Sequence, residues 1–214
     1  MIFGIGFPKT GTSSLASALR RLGYKTIHGD GRGSWPGADE GISLTRAIDA
    51  GNFLLPTFEL FEAFVDNPYF SIWRQLDVMF PEAKFILTVR DEESWINSCV
   101  LYYKARRIRP MRAWLFGEYA DPSANQASRQ AWLQAYRRHN VAVREHFGDA
   151  GGRLLVMDIT KGDGWEKLCP FLGVSLPKQS FPRANMSQKP TSPYGSRVAT
   201  SRLSSWFGKP VSSV

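Results

Sequence analysis

Gly6-Phe7-Pro8-Lys9-Thr10-Gly11-Thr12-Ser13 decides how this chain is read. Ahead of it, residues 2–5 are apolar and β-type; behind it, Leu15, Leu19 and Leu22 recur at helical spacing until Gly23 stops the helix. A glycine-bearing loop between a strand and a helix is a place to hold an anion. The glycines let the backbone wrap the ligand, and the helix N-terminus offers N–H groups in a positive dipole field. Against the phosphate-loop pattern G-x-x-x-x-G-K-[ST], Gly6, Gly11 and Ser13 fit, but Thr12 stands where the lysine belongs. The loop's lysine, Lys9, comes three residues earlier. ATP or GTP hydrolysis is therefore not expected, whereas a terminal phosphate-like group is, with Lys9 approaching from the other side. The plainer alternative is a glycine turn with a solvent-facing lysine.

Outward from the loop, Lys84-Phe85-Ile86-Leu87-Thr88-Val89 is the strongest strand signal, and Asp91-Glu92-Glu93 starts a helix with acids where its dipole favours them. Arg90 joins the two, and Ser98 lies eight residues on, one turn beyond Ser94 on the same helix face. Arginine suits a phosphate, although a salt bridge to Asp91 or Glu93 is the other reading of Arg90. Further strands are expected at Tyr24–Ile27, Phe64-Val65 and Arg153–Met157. Helices are expected at about 40–50, 71–80, 125–147 and 164–172, and Gly29–Gly37 reads as loop. Strands alternating with helices predict a three-layer α/β/α sandwich with a central parallel sheet.

A hydrophobic content of 43% with 21% charged residues in 214 residues suits one globular domain and excludes a wholly disordered, collagenous or coiled-coil chain. No run of 18 apolar residues occurs, so no integral membrane span is expected. The first residues lack a basic region and a long apolar core, and Cys99 and Cys169 cannot form a disulfide framework. A cytoplasmic location is the expectation. The net charge is +8, and seven lysines and arginines with no acid follow Glu166. A near-neutral body with a basic tail wants an anionic partner.

Phe7-Pro8-Lys9-Thr10-Gly11-Thr12-Ser13-Ser14 resembles the 5′-phosphosulfate loop of sulfotransferases that use 3′-phosphoadenosine 5′-phosphosulfate (PAPS), and Arg90 with Ser98 resembles that family's 3′-phosphate site. The resemblance covers roughly residues 1–175, including Gly164-Trp165-Glu166-Lys167-Leu168-Cys169-Pro170-Phe171-Leu172-Gly173. It implies a P-loop NTPase-like fold and a PAPS-binding domain over 1–175; the basic, Pro- and Ser-rich extension over 176–214 is expected, from its charge, to pack on or cover the site. It further implies a metal-independent transferase moving a sulfuryl group from PAPS to a hydroxyl or amine of a small-molecule or glycan acceptor. Pro8, Lys9, Thr10, Gly11, Thr12, Ser13, Arg90 and Ser98 would hold the donor. The tryptophan that stacks on adenine in better-known members is Ser14 here, and their C-terminal Arg-Lys-Gly motif has no match, which leaves Lys189 or Arg197 for that phosphate and Met157-Asp158-Ile159 for the adenine pocket.

Lys9 is expected to neutralise the oxygen that leaves sulfur. For the proton of the acceptor the resemblance points to Asp66-Asn67-Pro68, where better-known members place a histidine two residues before a proline. Asp66 as catalytic base would need desolvation by Phe64, Val65, Tyr69 and Phe70 to raise its weak basicity. A turn or helix-capping role for Asp66 stays open, as does His28, which follows a strand and could reach a cleft. His139 and His146 are expected on the surface of the long helix. A phosphate-loop kinase and a non-catalytic anion-binding protein remain the alternatives. Nucleic acid is not expected, because the tail's few aromatics make no stacking face.

Overall fold

In the computed structural model the described residues are 1–29, 50–148 and 152–184. Five parallel strands form one sheet: β1 (Ile2–Gly4), β2 (Thr26–His28), β3 (Ala63–Val65), β4 (Lys84–Thr88) and β5 (Leu154–Met157), in the order β2-β3-β1-β4-β5. Pairing is in register, with Phe3 between Phe64 and Phe85. Six α-helices occur among the described residues: α1 (Thr12–Arg21), α2 (Trp73–Met79), α3 (Glu92–Tyr103), α4 (Pro110–Phe116), α5 (Gln126–Phe147) and α6 (Trp165–Leu172). The expected helix near 40–50 falls almost wholly outside the described residues, as do Lys189 and Arg197.

Alternation along the strands divides two cores. Phe3, Phe64, Phe85 and Leu87 face one side with Trp73, Trp95, Tyr136 and Phe147 from α2, α3 and α5. Ile2, Ala63, Val65 and Ile86 face the other with Leu15, Leu19 and Leu168 from α1 and α6. Apolar residues on both faces of a short strand are what a parallel sheet covered by helices requires. The three-layer sandwich expected from the sequence is the fold.

Two local features differ from expectation. Helix α4 lies in a stretch where no helix is expected, opened by Pro110 at its first turn. His139 is not on the surface: its Nε2 lies 2.7 Å from the Ile5 carbonyl and its ring packs edge-on against Phe7. Burial pushes its pKa down to about 4. His146 is exposed, 2.8 Å from Asp77, as a surface helix position allows.

Candidate active site

The chain leaves β1 toward β2 on one side of the sheet and β4 toward β5 on the other, so a crevice opens at the carboxyl ends between them. A cleft of about 670 Å³ lies there. Each strand end feeds it: Pro8 to Ser13 after β1, His28 at the end of β2, Asp66 and Asn67 after β3, Arg90 after β4, Ile159 and Thr160 after β5. Ser98, Tyr102 and Tyr103 close it from α3, and Arg183 from the C-terminal segment.

The loop's shape is dictated from below. A Cβ on Gly6 would stand 2.0 Å from Oγ1 and 2.4 Å from the carbonyl oxygen of Thr88, so only glycine lets β1 run so close to β4. Gly11 has φ of 102° and caps α1; Lys9 also adopts the left-handed region, φ 73°, uncommon for a residue with a side chain. Three bonds tie the loop to β4 and α3. Thr10 Oγ1 meets Thr88 Oγ1 at 2.6 Å, Trp95 Nε1 donates to the Pro8 carbonyl at 2.9 Å, and Arg90 Nη1 donates to the Lys9 carbonyl at 3.3 Å.

Of the residues expected to hold the donor, Pro8, Lys9, Gly11, Thr12, Ser13, Arg90 and Ser98 line the cleft. Thr10 does not: it is fully buried, its hydroxyl turned to Thr88 and to the Phe7 carbonyl, and its N–H also reaches Phe7. It is a tie beneath the loop. Arg90 is not in a salt bridge with Asp91 or Glu93. Asp91 caps α3 through the Ser94 N–H, Glu93 pairs with Arg129, and Arg90 Nε donates to Ser94 Oγ at 2.9 Å. Among the described residues neither Lys9 nor Arg90 forms a salt bridge, and the carboxylate that shares the cleft with them, Asp66, is bonded to Thr12 and Asn67 and acts on Lys9 only at longer range. The Lys9 ammonium sits 4.1 Å over the Tyr102 ring; burial and the charges of Arg90 and Arg106 hold its pKa below the usual lysine range.

Asp66 is 8% exposed, flanked by Val65, Tyr69 and Phe70 as expected, yet its basicity moves opposite to expectation. Burial alone would raise its pKa, but His28, the Thr12 hydroxyl and the Asn67 N–H together hold it below the ordinary carboxylate range. Thr12 Oγ1 donates to Oδ2 at 2.7 Å, the Asn67 N–H donates to Oδ1 at 2.7 Å, and His28 Nε2 lies 3.4 Å from Oδ2. His28 Nε2 is also 3.2 Å from Thr12 Oγ1. Since the Thr12 proton goes to Asp66, its oxygen accepts, and His28 Nε2 carries a hydrogen. The neutral imidazole then keeps its lone pair on Nδ1.

The C-terminal segment reaches the cleft by a fixed path. Arg21 donates to the Ser180 carbonyl, Trp165 Nε1 to the Gln179 carbonyl at 2.7 Å, and Phe181 packs on Trp165. The Ala184 N–H ends on Ser14 Oγ at 2.9 Å, at the position where better-known relatives of the resemblance have an aromatic. Arg183 was not singled out in sequence because nothing marks it off from its basic neighbours.

A family model described as a sulfotransferase domain matches residues 1–189. A curated relative from Aspergillus versicolor, "Ava biosynthesis cluster protein M", is 27% identical over 209 residues, spanning 83% of this chain and 78% of its own. Among the described residues no helix is long and apolar enough to cross a membrane.

Proposed function

Since the chain belongs to the sulfotransferase domain family, we propose that it moves a sulfuryl group from PAPS to a hydroxyl of a small-molecule acceptor, releasing 3′-phosphoadenosine 5′-phosphate. One observation carries this reading: Lys9 and Arg90, two cations that form no salt bridge among the described residues, converge with the N-terminus of α1 on one cleft. A cleft of this size suits a nucleotide and a small acceptor together.

PAPS supplies a sulfur–oxygen bond whose bridging oxygen leaves on a phosphate. The amides of Gly11 to Ser13 hold that phosphate, and Lys9 neutralises charge on the departing oxygen. Arg90 and Ser98 bind the 3′-phosphate, and Arg183 adds a third cation to the wall. As the acceptor oxygen bonds to sulfur, its proton passes to Nδ1 of His28. Asp66, through Thr12, keeps the Nε2 hydrogen in place and faces the imidazolium that results. Asp66 is thus the positioning carboxylate, and His28 the base. The step balances: the bond from the acceptor oxygen to sulfur forms as the bond from sulfur to the bridging oxygen breaks, the proton is gained by His28, and the bridging oxygen leaves on the phosphate.

Calorimetry with 3′-phosphoadenosine 5′-phosphate against ATP tests the reading. Tight binding of the former without magnesium is expected; preference for magnesium-ATP would replace it with a kinase.

A further inference from the structure

Behind the cleft, separated from it by Pro8, Asn67 and Tyr103, which line both, lies a recess of about 30 Å³. Its remaining walls are aromatic and aliphatic, including Phe7, Phe70, Leu115, Phe116 and Trp132, with one cation, Arg112 from α4. Arg112 is 7% exposed. Its Nη2 donates to the Arg106 carbonyl at 3.1 Å, and its guanidinium lies 4.6 Å from the Tyr103 ring centre. Nε and Nη1 are buried and meet no acceptor among the described residues, and neither does Asn67 Oδ1 meet a donor among them. Asp121, which feels the Arg112 charge, is bonded instead to the N–H and hydroxyl of Ser123.

A buried guanidinium with free donors and no carboxylate is among the costliest arrangements a core can hold. The proton acceptor His28, the loop and the donor site make no use of it. A water-sized occupant needs about 10–15 Å³ of such space, so the recess admits about two oxygen atoms. We propose that this recess receives a carboxylate carried by the acceptor, which makes the acceptor a hydroxy acid with an apolar or aromatic body. The proposal rests on the sulfotransferase reading for the meaning of "acceptor", but not for the binding of the acid. The carboxylate meets Arg112 in a dry, apolar surround where a charge-assisted bond is strong. The Asn67 amide can turn to present its NH₂. For the hydroxyl to reach His28 in the cleft, the rest of the molecule must pass the shared wall of Pro8, Asn67 and Tyr103, so binding of the acid requires that wall to part.

The test uses matched pairs of hydroxylated probes that differ only in carboxylate against carboxamide: 4-hydroxybenzoate, 4-hydroxyphenylacetate and 3-(4-hydroxyphenyl)propanoate with their amides. Binding is measured by calorimetry with and without 3′-phosphoadenosine 5′-phosphate. In at least one pair the acid should bind about tenfold tighter or more, as a buried charge pair permits. In Arg112→Met that ratio should fall to about twofold or less with the affinity for the nucleotide unchanged, since Arg112 does not line the donor cleft. Arg112→Gln serves the same purpose if the methionine variant does not fold. No acid preference in any pair, or a preference that survives loss of Arg112, overturns the proposal. An acid preference in a protein that ignores the nucleotide would keep the recess and remove the donor reading.

Discussion

Replacing Asp66 by asparagine preserves shape and removes one charge, and the consequence runs through Thr12 to the imidazole of His28. In the wild type Oδ1 accepts the Asn67 N–H and Oδ2 accepts the Thr12 hydroxyl, both at 2.7 Å. An asparagine must keep its oxygen on the Asn67 N–H, since two donors cannot face each other. Its NH₂ then points at Thr12 Oγ1, and the Thr12 proton turns to His28 Nε2. The imidazole switches tautomer, and its lone pair moves from Nδ1 to Nε2, away from the acceptor. Losing a positioned base costs typically about 10²–10⁴ in rate, which is about 3–5 kcal/mol of barrier at 1.36 kcal/mol per decade. Turnover with labelled PAPS should fall by that range in Asp66→Asn. The affinity for 3′-phosphoadenosine 5′-phosphate should stay within about twofold, because Lys9, Arg90 and Ser98 are untouched. His28→Ala should lose a similar amount, and the double variant little more, as residues acting as a unit are not additive. If His28→Ala keeps wild-type turnover while Asp66→Asn does not, the carboxylate itself takes the proton. If Asp66→Asn keeps wild-type turnover, the tautomer reasoning fails outright.

Lys9→Met should lower kcat by about 10²–10³, the usual cost of removing one preorganised charge at a developing anion, with a smaller effect on nucleotide affinity; steady-state kinetics with PAPS checks the split. Arg90→Ala and Arg183→Ala should each weaken nucleotide binding by about tenfold in calorimetry, in keeping with a charged hydrogen bond, and removal of residues 182–214 should weaken it at least as much. Gly6→Ala must push β1 from β4 against a 2.4 Å backbone contact. It should cost about 3 kcal/mol or more, a fall of about 6–12 °C in melting temperature for a chain of this size. His139 has a folded pKa of about 4 against an ordinary 6.5. The unfolded chain therefore takes up the proton first, and stability should decline as pH drops from about 6.5 toward 4, by roughly 3 kcal/mol in all. Denaturant midpoints across that window should flatten in His139→Gln.

The apolar runs of β1 and β4, the loop between β1 and α1, and the arginine at the end of β4 are local patterns, and they were legible in the sequence. What was not legible depends on distant partners. Nothing near Asp66 in sequence announces that Thr12 and His28 meet it and depress its basicity; its apolar neighbours argue the reverse. His139 sits on a helix whose polar residues suggest a wet face, and only the Ile5 carbonyl and Phe7 ring explain its burial. Arg112 is one of several cations in a run from Lys104 onward, and burial alone distinguishes it from them. Thr10 belongs to the loop motif by position but to the core by contact.

The ties beneath the loop have a consequence for recognition. Thr10 to Thr88, Trp95 to Pro8 and Arg90 to Lys9 clamp the loop onto β4 and α3, and Gly6 leaves no slack between the two strands. On the proposed reading Lys9 and Arg90 therefore hold two anionic groups at places the sheet fixes, so a donor is selected by whether it carries a second anionic group apart from its first, and a nucleotide with all its phosphates in a single chain serves only one of the two cations.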